Sequence, residues 1–240
     1  MTTDVQKHEA QLPEVMQGTG GEPDVSDFSI PYVKLVQASS EEVKDGTAKP
    51  GVFLSSEGEK VESIAFVPLH IQFTRDFYDA DAGKAICGST DRLTGHPRDL
   101  TYFRTHGDLN LADGDPLACR DCPFYEMDQF AKTACKKTYA ITCYDTTTDA
   151  PFMYRVRGSA MGVFRNRFIG AVAMKRAVPW ARAFQMTSAK KSNGGNSWFA
   201  PELQPIQSYT EEEMGQWAAM AAGYGESRPA SADFDDLPFE

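Results

Sequence analysis

Four cysteines constrain the fold of this chain more than any other feature, because they can act together only if residues 87 to 135 fold back on themselves. Cys119 and Cys122 are separated by two residues, Cys135 follows after twelve more, and Cys87 lies upstream. Two thiolates at this spacing can bind one tetrahedral ion, and four thiolates form a closed structural zinc site. The spacing predicts a zinc-binding insertion at about 85–138, with Cys87, Cys119, Cys122 and Cys135 as the Zn²⁺ ligands.

Two histidines and a fifth cysteine leave the ligand set open. His96 and His106 lie between Cys87 and Cys119, and either could replace one thiolate, because sites with three cysteines and one histidine are equally ordinary. Cys143 lies in an apolar run, where we interpret it as a small core residue. A thioredoxin-like role for the CxxC pair would need a βαβ context, which is absent from the sequence pattern.

Short apolar runs separated by turn residues predict a mainly β domain. Pro68 interrupts the longest run and is expected at an edge or a bulge. Strands are expected at 52–54, 61–73, 139–144, 151–157, 182–187 and 198–203. The run 139–144 and the run 151–157 form a hairpin, and 198–203 would close a barrel. Because no βαβ rhythm is present, a small Greek-key barrel is the expected architecture.

Helical spacing and tail composition complete the predicted organisation. The stretch 161–175 is spaced like a helix although glycines interrupt it, and 209–222 is a predicted helix with Thr210 and Glu213 as a capping box and Gly223 as its stop. Residues 1–27 lack apolar periodicity and predict a disordered arm. The expected order is arm 1–27, domain 28–207, helix 208–224 and acidic tail 225–240.

The charge distribution points to a polyanionic partner despite a net charge of −10. Residues 1–59 carry 4 basic and 11 acidic residues, residues 60–200 carry 19 and 14, and residues 201–240 carry 1 and 9. From Pro151 to Pro201 there are nine basic residues and no acid. Ordinary solvated surfaces mix both signs, so this segment favours contact with phosphates.

Aromatic residues are interleaved with these cations, which is typical of proteins that bind single strands through phosphate contacts and base stacking. In β geometry Arg155 and Arg157 share one face of a strand, and Tyr154 and Val156 share the other. Half or more of the aromatic residues are expected in the core. The candidate DNA-binding residues are Arg75, Tyr78, Arg104, Tyr154, Arg155, Arg157, Arg165, Arg167, Lys175, Arg176, Trp180, Arg182, Lys190, Lys191 and Trp198.

The C-terminus ends in an acidic segment that resembles the tip of bacterial single-stranded DNA-binding proteins. The shared residues are Asp233, Phe234, Asp235, Asp236, Leu237, Pro238 and Phe239. The resemblance implies that Pro238 and Phe239 anchor the tail in an apolar pocket of a replication or recombination protein, while the Asp residues steer the encounter. This chain has one Asp fewer than that family, Leu in place of Ile, and Glu240 after the Phe.

The body of the chain is similar to a group of phage single-stranded DNA-binding proteins. The similarity lies in Ile30-Pro31-Tyr32-Val33-Lys34-Leu35-Val36-Gln37, in Lys49-Pro50-Gly51 and in the later cysteines. It implies an OB-fold-like barrel with a zinc insertion. The cysteine spacing differs from that of the zinc-containing helix-destabilising proteins of T-even phages.

Together these features predict a binding protein and not an enzyme. GxxxxGK[ST], GxSxG and HExxH motifs are absent from the sequence. The expected function is to coat single-stranded DNA in the cytoplasm of a bacterial host and to recruit partners through the tail. The N-terminal sequence lacks a signal-peptide pattern, so disulfides are not expected. Two rivals stay open, a zinc-ribbon adaptor or transcription regulator and a recombination nuclease with a structural zinc.

Overall fold

A computed structural model describes residues 30–79, 81–125 and 133–225. The predicted N-terminal arm and residues 226–240 of the predicted acidic tail, including every candidate partner-binding residue, lie outside the described residues. The strands are β1 (Tyr32–Leu35), β2 (Phe53–Ser55), β3 (Lys60–Val61), β4 (Ser63–Asp79), β5 (Lys84–Ser89), β6 (Thr94–Pro97), β7 (Leu117–Ala118), β8 (Ala134–Asp145), β9 (Ala150–Val156), β10 (Arg182–Asn193) and β11 (Asn196–Ser208).

The helices are short except at the end of the described chain. They are α1 (Glu41–Lys44), α2 (Leu100–Gly107), α3 (Ala160–Phe164), α4 (Gly170–Ala173) and α5 (Glu211–Gly225), with a π-helix at Arg165–Ile169 and 3-10 turns at Cys119–Asp121 and Pro179–Ala181. The sequence pattern left the stretch 161–175 ambiguous, and the structure has α3, the π-helix and α4 there in succession. Gly170 is required there, because a Cβ would lie 2.9 Å from the carbonyl oxygen of Arg165.

One large mixed sheet confirms the prediction of a mainly β fold. Its strand order is β3-β2-β1-β9-β8-β4-β5-β6-β7, and β10 and β11 join through β4. β1 runs parallel to β9, and the other described pairings are antiparallel. The long strand β4 pairs with β10 near its start, with β8 along most of its length and with β5 at its end. A bulge between Pro68 and His70 agrees with the expected irregularity at Pro68.

Sixteen buried residues form the main core between the sheet and the α3–α4 segment. Phe53, Phe66, Phe164, Phe184 and Ile141 are all essentially inaccessible to solvent. Edge-to-face and tilted ring contacts connect them, such as Phe66 with Phe152 and Phe168 with Phe184. Burial of these rings is the main stabilising contribution, at roughly 25 cal/mol per Å² of apolar surface.

The sheet does not close into the predicted barrel. Among the described residues no backbone ladder joins β1 to β11, although the end of β1 and β11 come close. The gap is bridged by a side chain: Gln37 accepts a hydrogen bond from the backbone N–H of Phe199 at 2.9 Å and donates one to its carbonyl oxygen at 3.0 Å. The predicted closing strand 198–203 is part of β11, which forms backbone hydrogen bonds with β10 but not with β1 in the described residues.

The β10–β11 hairpin extends beyond the sheet. Only residues 184–187 of β10 pair with β4, so residues 188–201 form a two-stranded projection. We name this projection the arm; it is separate from the predicted N-terminal arm. Gly194 and Gly195 make its turn with φ of 56° and 88°, the left-handed conformation that a two-residue hairpin turn requires. The arm holds Lys190 and Lys191 away from the core.

Helix α5 covers a second apolar cluster on the other side of the sheet. Ala221 is buried with Val67, Leu69 and Ala183, and Trp217 packs against Tyr144 and Tyr209. The predicted capping box is present. The Glu213 carboxylate accepts a hydrogen bond from the backbone N–H of Thr210 at 2.8 Å, and the backbone N–H of Glu213 donates one to the Thr210 hydroxyl at 3.4 Å. The predicted stop at Gly223 is wrong, because the helix continues to Gly225.

Candidate nucleic-acid interface and cysteine cluster

A groove of about 340 Å³ lies at the gap between β1 and β11. Residues of β1, β9, β11 and the turn 158–160 line it, and we name it the groove. Its cations are Lys34, Arg155 and Arg157, and its rings include Tyr32, Trp198 and Phe199. Cations beside aromatic faces in a concave site are the combination that single-stranded nucleic acids require.

The three cations of the groove have different environments. Lys34 pairs with Glu42 at 2.6 Å, and Arg155 pairs with Asp76 at 3.0 Å with both side chains 8% exposed. Burial lowers the pKa of Arg157, and the nearby Asp76 carboxylate partly opposes that shift. An anion in the groove would favour the charged guanidinium further. Arg155 is held by Asp76, and Arg157 is the further guanidinium that lines the groove.

Trp198 presents an aromatic side chain to the groove from β11. It is half-buried, and its indole Nε1–H is shielded from solvent with no hydrogen-bond partner among the described residues. A buried indole N–H usually has an acceptor. The ring lines the groove and is half-buried, so part of its surface can meet a ligand with a flat face.

Phe199 fixes the arm against the body of the protein. Gly51 has φ of +89°, and a Cβ at that position would lie 2.6 Å from the Phe199 ring, so the ring packs directly on the glycine backbone. The Ser188 hydroxyl donates to the carbonyl oxygen of Gly51. These contacts, with the two hydrogen bonds of Gln37, hold the wall that carries Trp198. The groove residues that were not predicted from the sequence include Phe199, Gln37, Tyr32 and Lys34.

Tyr154 belongs to the main core and also borders the groove. The expected alternation along β9 is present: Tyr154 and Val156 are buried in the main core, and Arg155 and Arg157 lie on the opposite face. The Tyr154 ring stacks on Phe164 at 5.5 Å, and burial raises its pKa. Its described contacts are packing contacts, and its contact with a base stays a prediction. Trp180 is likewise placed in the cluster beneath α5.

The remaining cations of the acid-free segment lie outside the groove. Arg167 borders a second, open concavity that shares Ser159 with the groove. Lys191 pairs with Glu202 at 2.6 Å across the arm. Tyr78 is half-buried at the end of β4. Exposed side chains, each a candidate for phosphate contact, are Arg104, Arg165, Arg167, Lys175, Arg176, Arg182, Lys190 and Lys191.

The four predicted zinc ligands come together in one place. Cys87, Cys119, Cys122 and Cys135 all line a small cavity of about 20 Å³. Gly95 closes one side, where a Cβ would lie 3.1 Å from Sγ of Cys87 and 3.6 Å from Sγ of Cys119. We name these four residues the thiol cluster. Its walls belong to β5, β6, the 3-10 turn and β8.

The alternative ligands lie elsewhere. Cys143 is buried in the main core, and His96 and His106 do not line the cavity. The His106 ring stacks on Tyr102 with centroids 4.3 Å apart. In the described ranges, no group of three or more His, Cys, Asp or Glu side chains is arranged to hold a metal ion, so the four thiols share one cavity without forming a coordination sphere.

Burial raises the pKa of Cys87, Cys122 and Cys135, and the charges of neighbouring thiolates raise the pKa of each further. A positive charge in the cavity would oppose these shifts and favour the thiolate forms. A divalent cation would supply that charge. The donor set therefore fits a thiolate-binding metal such as Zn²⁺.

Arg75, expected to contact DNA, lies instead beneath the thiol cluster. Its residue exposure is 3%. Its Nη1 donates to the carbonyl oxygen of Tyr125 at 3.0 Å and to Sγ of Cys135 at 3.6 Å, and its guanidinium lies 3.8 Å from the centre of the Tyr125 ring. A side chain in this position cannot reach a phosphate in the groove.

A comparison with known protein families identifies a relative. The family model described as Pam3 phage gp34-like protein matches residues 6–225 of the chain. No curated protein matches the sequence, and no solved structure matches the fold. Within the described residues, no helix has both the length and the apolar character needed to cross a bilayer.

Proposed function

Because the chain belongs to the Pam3 phage gp34-like family, we propose that this phage protein binds and protects single-stranded DNA during replication or recombination in the host cytoplasm. The observation that carries the proposal is the groove, which Arg157, Lys34 and Trp198 all line. Phosphates would lie against the cations and a base would stack on Trp198. Each stacked base contributes ~1–3 kcal/mol to binding.

The surroundings of the groove support a polyanionic ligand. Lys190 and Lys191 on the arm and Arg165 and Arg167 on the π-helix extend positive charge away from it, and no acid occurs between Pro151 and Pro201. Glu202 is the nearest acid along β11, and Lys191 neutralises it. We include an OB-fold-like architecture in the proposal, supported by a sheet that wraps one core and by the narrow gap at Gln37.

A structural Zn²⁺ in the thiol cluster is part of the same proposal. Cys87, Cys119, Cys122 and Cys135 would hold it, and its chemistry would be to crosslink the segment between β4 and β8. That segment has its own small apolar cluster around Phe77 and Phe103. A tetrathiolate site leaves no open position, which supports a stabilising and not a catalytic metal.

The acidic tail is proposed to recruit partners. Pro238 and Phe239 would anchor it, as the resemblance to bacterial single-stranded DNA-binding proteins implies. A tail of this charge would also compete with phosphates for the basic surface. Deleting residues 226–240 should tighten DNA binding most at low salt; equal affinity of the full and shortened chains across the salt series would contradict competition.

Fluorescence anisotropy tests the central proposal directly. The protein is titrated into a labelled poly-dT oligonucleotide and into a matched duplex at several salt concentrations, without and with Mg²⁺. Selective, salt-sensitive binding of the single strand supports the proposal. Duplex preference or no binding would favour the zinc-ribbon adaptor or regulator, and degradation of the oligonucleotide with Mg²⁺ would favour the nuclease.

A further inference from the structure

Arg75 is a buried cation for which the described residues provide no carboxylate partner. In the described part of the chain its guanidinium forms no ion pair with Asp or Glu, and its Nε has no hydrogen-bond partner. The adjacent acid, Asp76, points to the opposite face of β4 and binds Arg155 and Thr138. A buried charge is costly unless an opposite charge or hydrogen bonds compensate it.

The group closest to supplying negative charge is the thiol cluster. Sγ of Cys135 accepts a hydrogen bond from Nη1, and Cys135 faces Phe77 across the β4–β8 pair, two residues from Arg75. Zn²⁺ bound to four thiolates has a net charge of about −2. Such a centre would compensate Arg75, and Arg75 would in turn reduce the repulsion among its thiolates.

Arg75 also holds the backbone that follows the CxxC turn. Nη1 binds the carbonyl oxygen of Tyr125, and the Tyr125 ring covers the guanidinium at 3.8 Å. Tyr125 itself donates its backbone N–H to the carbonyl oxygen of Cys122 at 3.0 Å. One side chain therefore connects Cys135 on β8 with the loop that carries Cys119 and Cys122.

From these contacts we infer that Arg75 is a positioning residue of the metal centre, which balances its charge and fixes both halves of the ligand set. This inference rests on the proposed zinc site. Outer partners that hydrogen-bond metal ligands typically change metal affinity by roughly ten- to a hundredfold when removed. Arg75 would have that effect without touching the metal.

Arg92 offers a matched control. It too is a partly buried arginine on aromatic rings, lying 5.3 Å from the Phe73 ring and 5.1 Å from the Tyr139 ring. It donates to the carbonyl oxygens of Thr74 and Thr138 and does not line the cysteine cavity. Removing Arg92 therefore removes hydrogen bonds and ring contacts comparable to those of Arg75, but it removes no charge next to the thiol cluster.

The test uses the full chain and Zn²⁺ or Co²⁺ as probes. Affinity is measured by competition with a chelator, and the Co²⁺ form is followed by its thiolate charge-transfer absorption. R75M should lower metal affinity roughly ten- to a hundredfold and shift the Co²⁺ spectrum. R75K keeps the charge and should restore part of the affinity, whereas R92M should leave affinity and spectrum unchanged.

The possible outcomes distinguish failure of the Arg75 inference from failure of the proposed zinc site and of the proposed DNA binding. If R75M and R75K both bind metal with wild-type affinity, the inference is overturned. It is also overturned if R92M loses as much metal affinity as R75M, because Arg75 would then have only a general packing role. If R75M does not fold, R75K decides: partial affinity with an altered spectrum supports the inference and an unchanged spectrum overturns it. If the wild-type chain takes up no metal, both the zinc proposal and the Arg75 inference are contradicted. The proposal of DNA binding is tested independently by the anisotropy titration.

Discussion

Gln37 and Phe199, 162 positions apart in the sequence, form a reciprocal pair of hydrogen bonds that joins the end of β1 to β11. The side-chain amide of Gln37 replaces the backbone ladder that a closed barrel would have at this gap. Q37A would leave the backbone N–H and carbonyl of Phe199 without these partners and should cost ~1–3 kcal/mol of the free energy of unfolding. Urea denaturation measures it, with Q207A on an exposed stretch of β11 as the control; equal losses in both variants would contradict a special role for Gln37.

The contact of Phe199 with Gly51 predicts a steric effect that can be separated from backbone strain. Gly51 and Gly58 have almost the same φ, 89° and 90°, but only at Gly51 would a Cβ meet another atom within 4 Å. G58A should therefore show only the cost of a left-handed alanine, whereas G51A should add ~1–3 kcal/mol from overpacking. Thermal unfolding compares the two, and equal destabilisation would argue against close packing of the arm.

Trp198 should be the aromatic residue that contributes most to DNA binding. W198A should weaken poly-dT binding roughly 5- to 150-fold, because one stacked base contributes ~1–3 kcal/mol. W198F should retain much of the affinity. W180F is the matched control, because Trp180 packs beneath α5 and does not line the groove. Anisotropy titration is the measurement, and a larger loss in W180F than in W198A would reverse the assignment.

The lysines of the arm should act through salt-dependent phosphate contacts. Replacing Lys190 with Gln should reduce the slope of log affinity against log salt by about 0.7, the value for one phosphate contact on a single strand. Lys191 should give a smaller change, because it already pairs with Glu202. Lys60, exposed on β3, is the control. The idea fails if K60Q changes the slope as much as K190Q.

The cysteines should divide into two classes when metal content is measured. C119S or C135S should lose bound Zn²⁺ and destabilise the region around Phe77 and Phe103, because metal binding is coupled to folding. C143S should retain Zn²⁺ and lose only stability, because Cys143 is a neutral core thiol whose pKa burial raises. Metal analysis after gel filtration distinguishes them, and zinc loss in C143S would place that residue in the site.

The sequence alone determined the features that depend on local pattern. The alternation of β9, the hairpin with β8, the capping box at Thr210 and Glu213 and the irregularity at Pro68 follow from neighbouring residues, so they were predictable. The four cysteines were selected by spacing, and the structure brings the same four together at one cavity.

Only the tertiary structure decided which cations and rings face a ligand. Arg75 and Arg157 have the same chemistry in similar strands, yet one lies beneath the cysteines and the other lines the groove. Trp180 and Trp198 differ in the same way, because Trp180 packs beneath α5 and Trp198 lines the groove. The groove joins residues near positions 34, 157 and 198, and the Gln37–Phe199 bridge spans most of the chain. No local pattern encodes those distances, because they arise from strand pairings between residues far apart in the sequence.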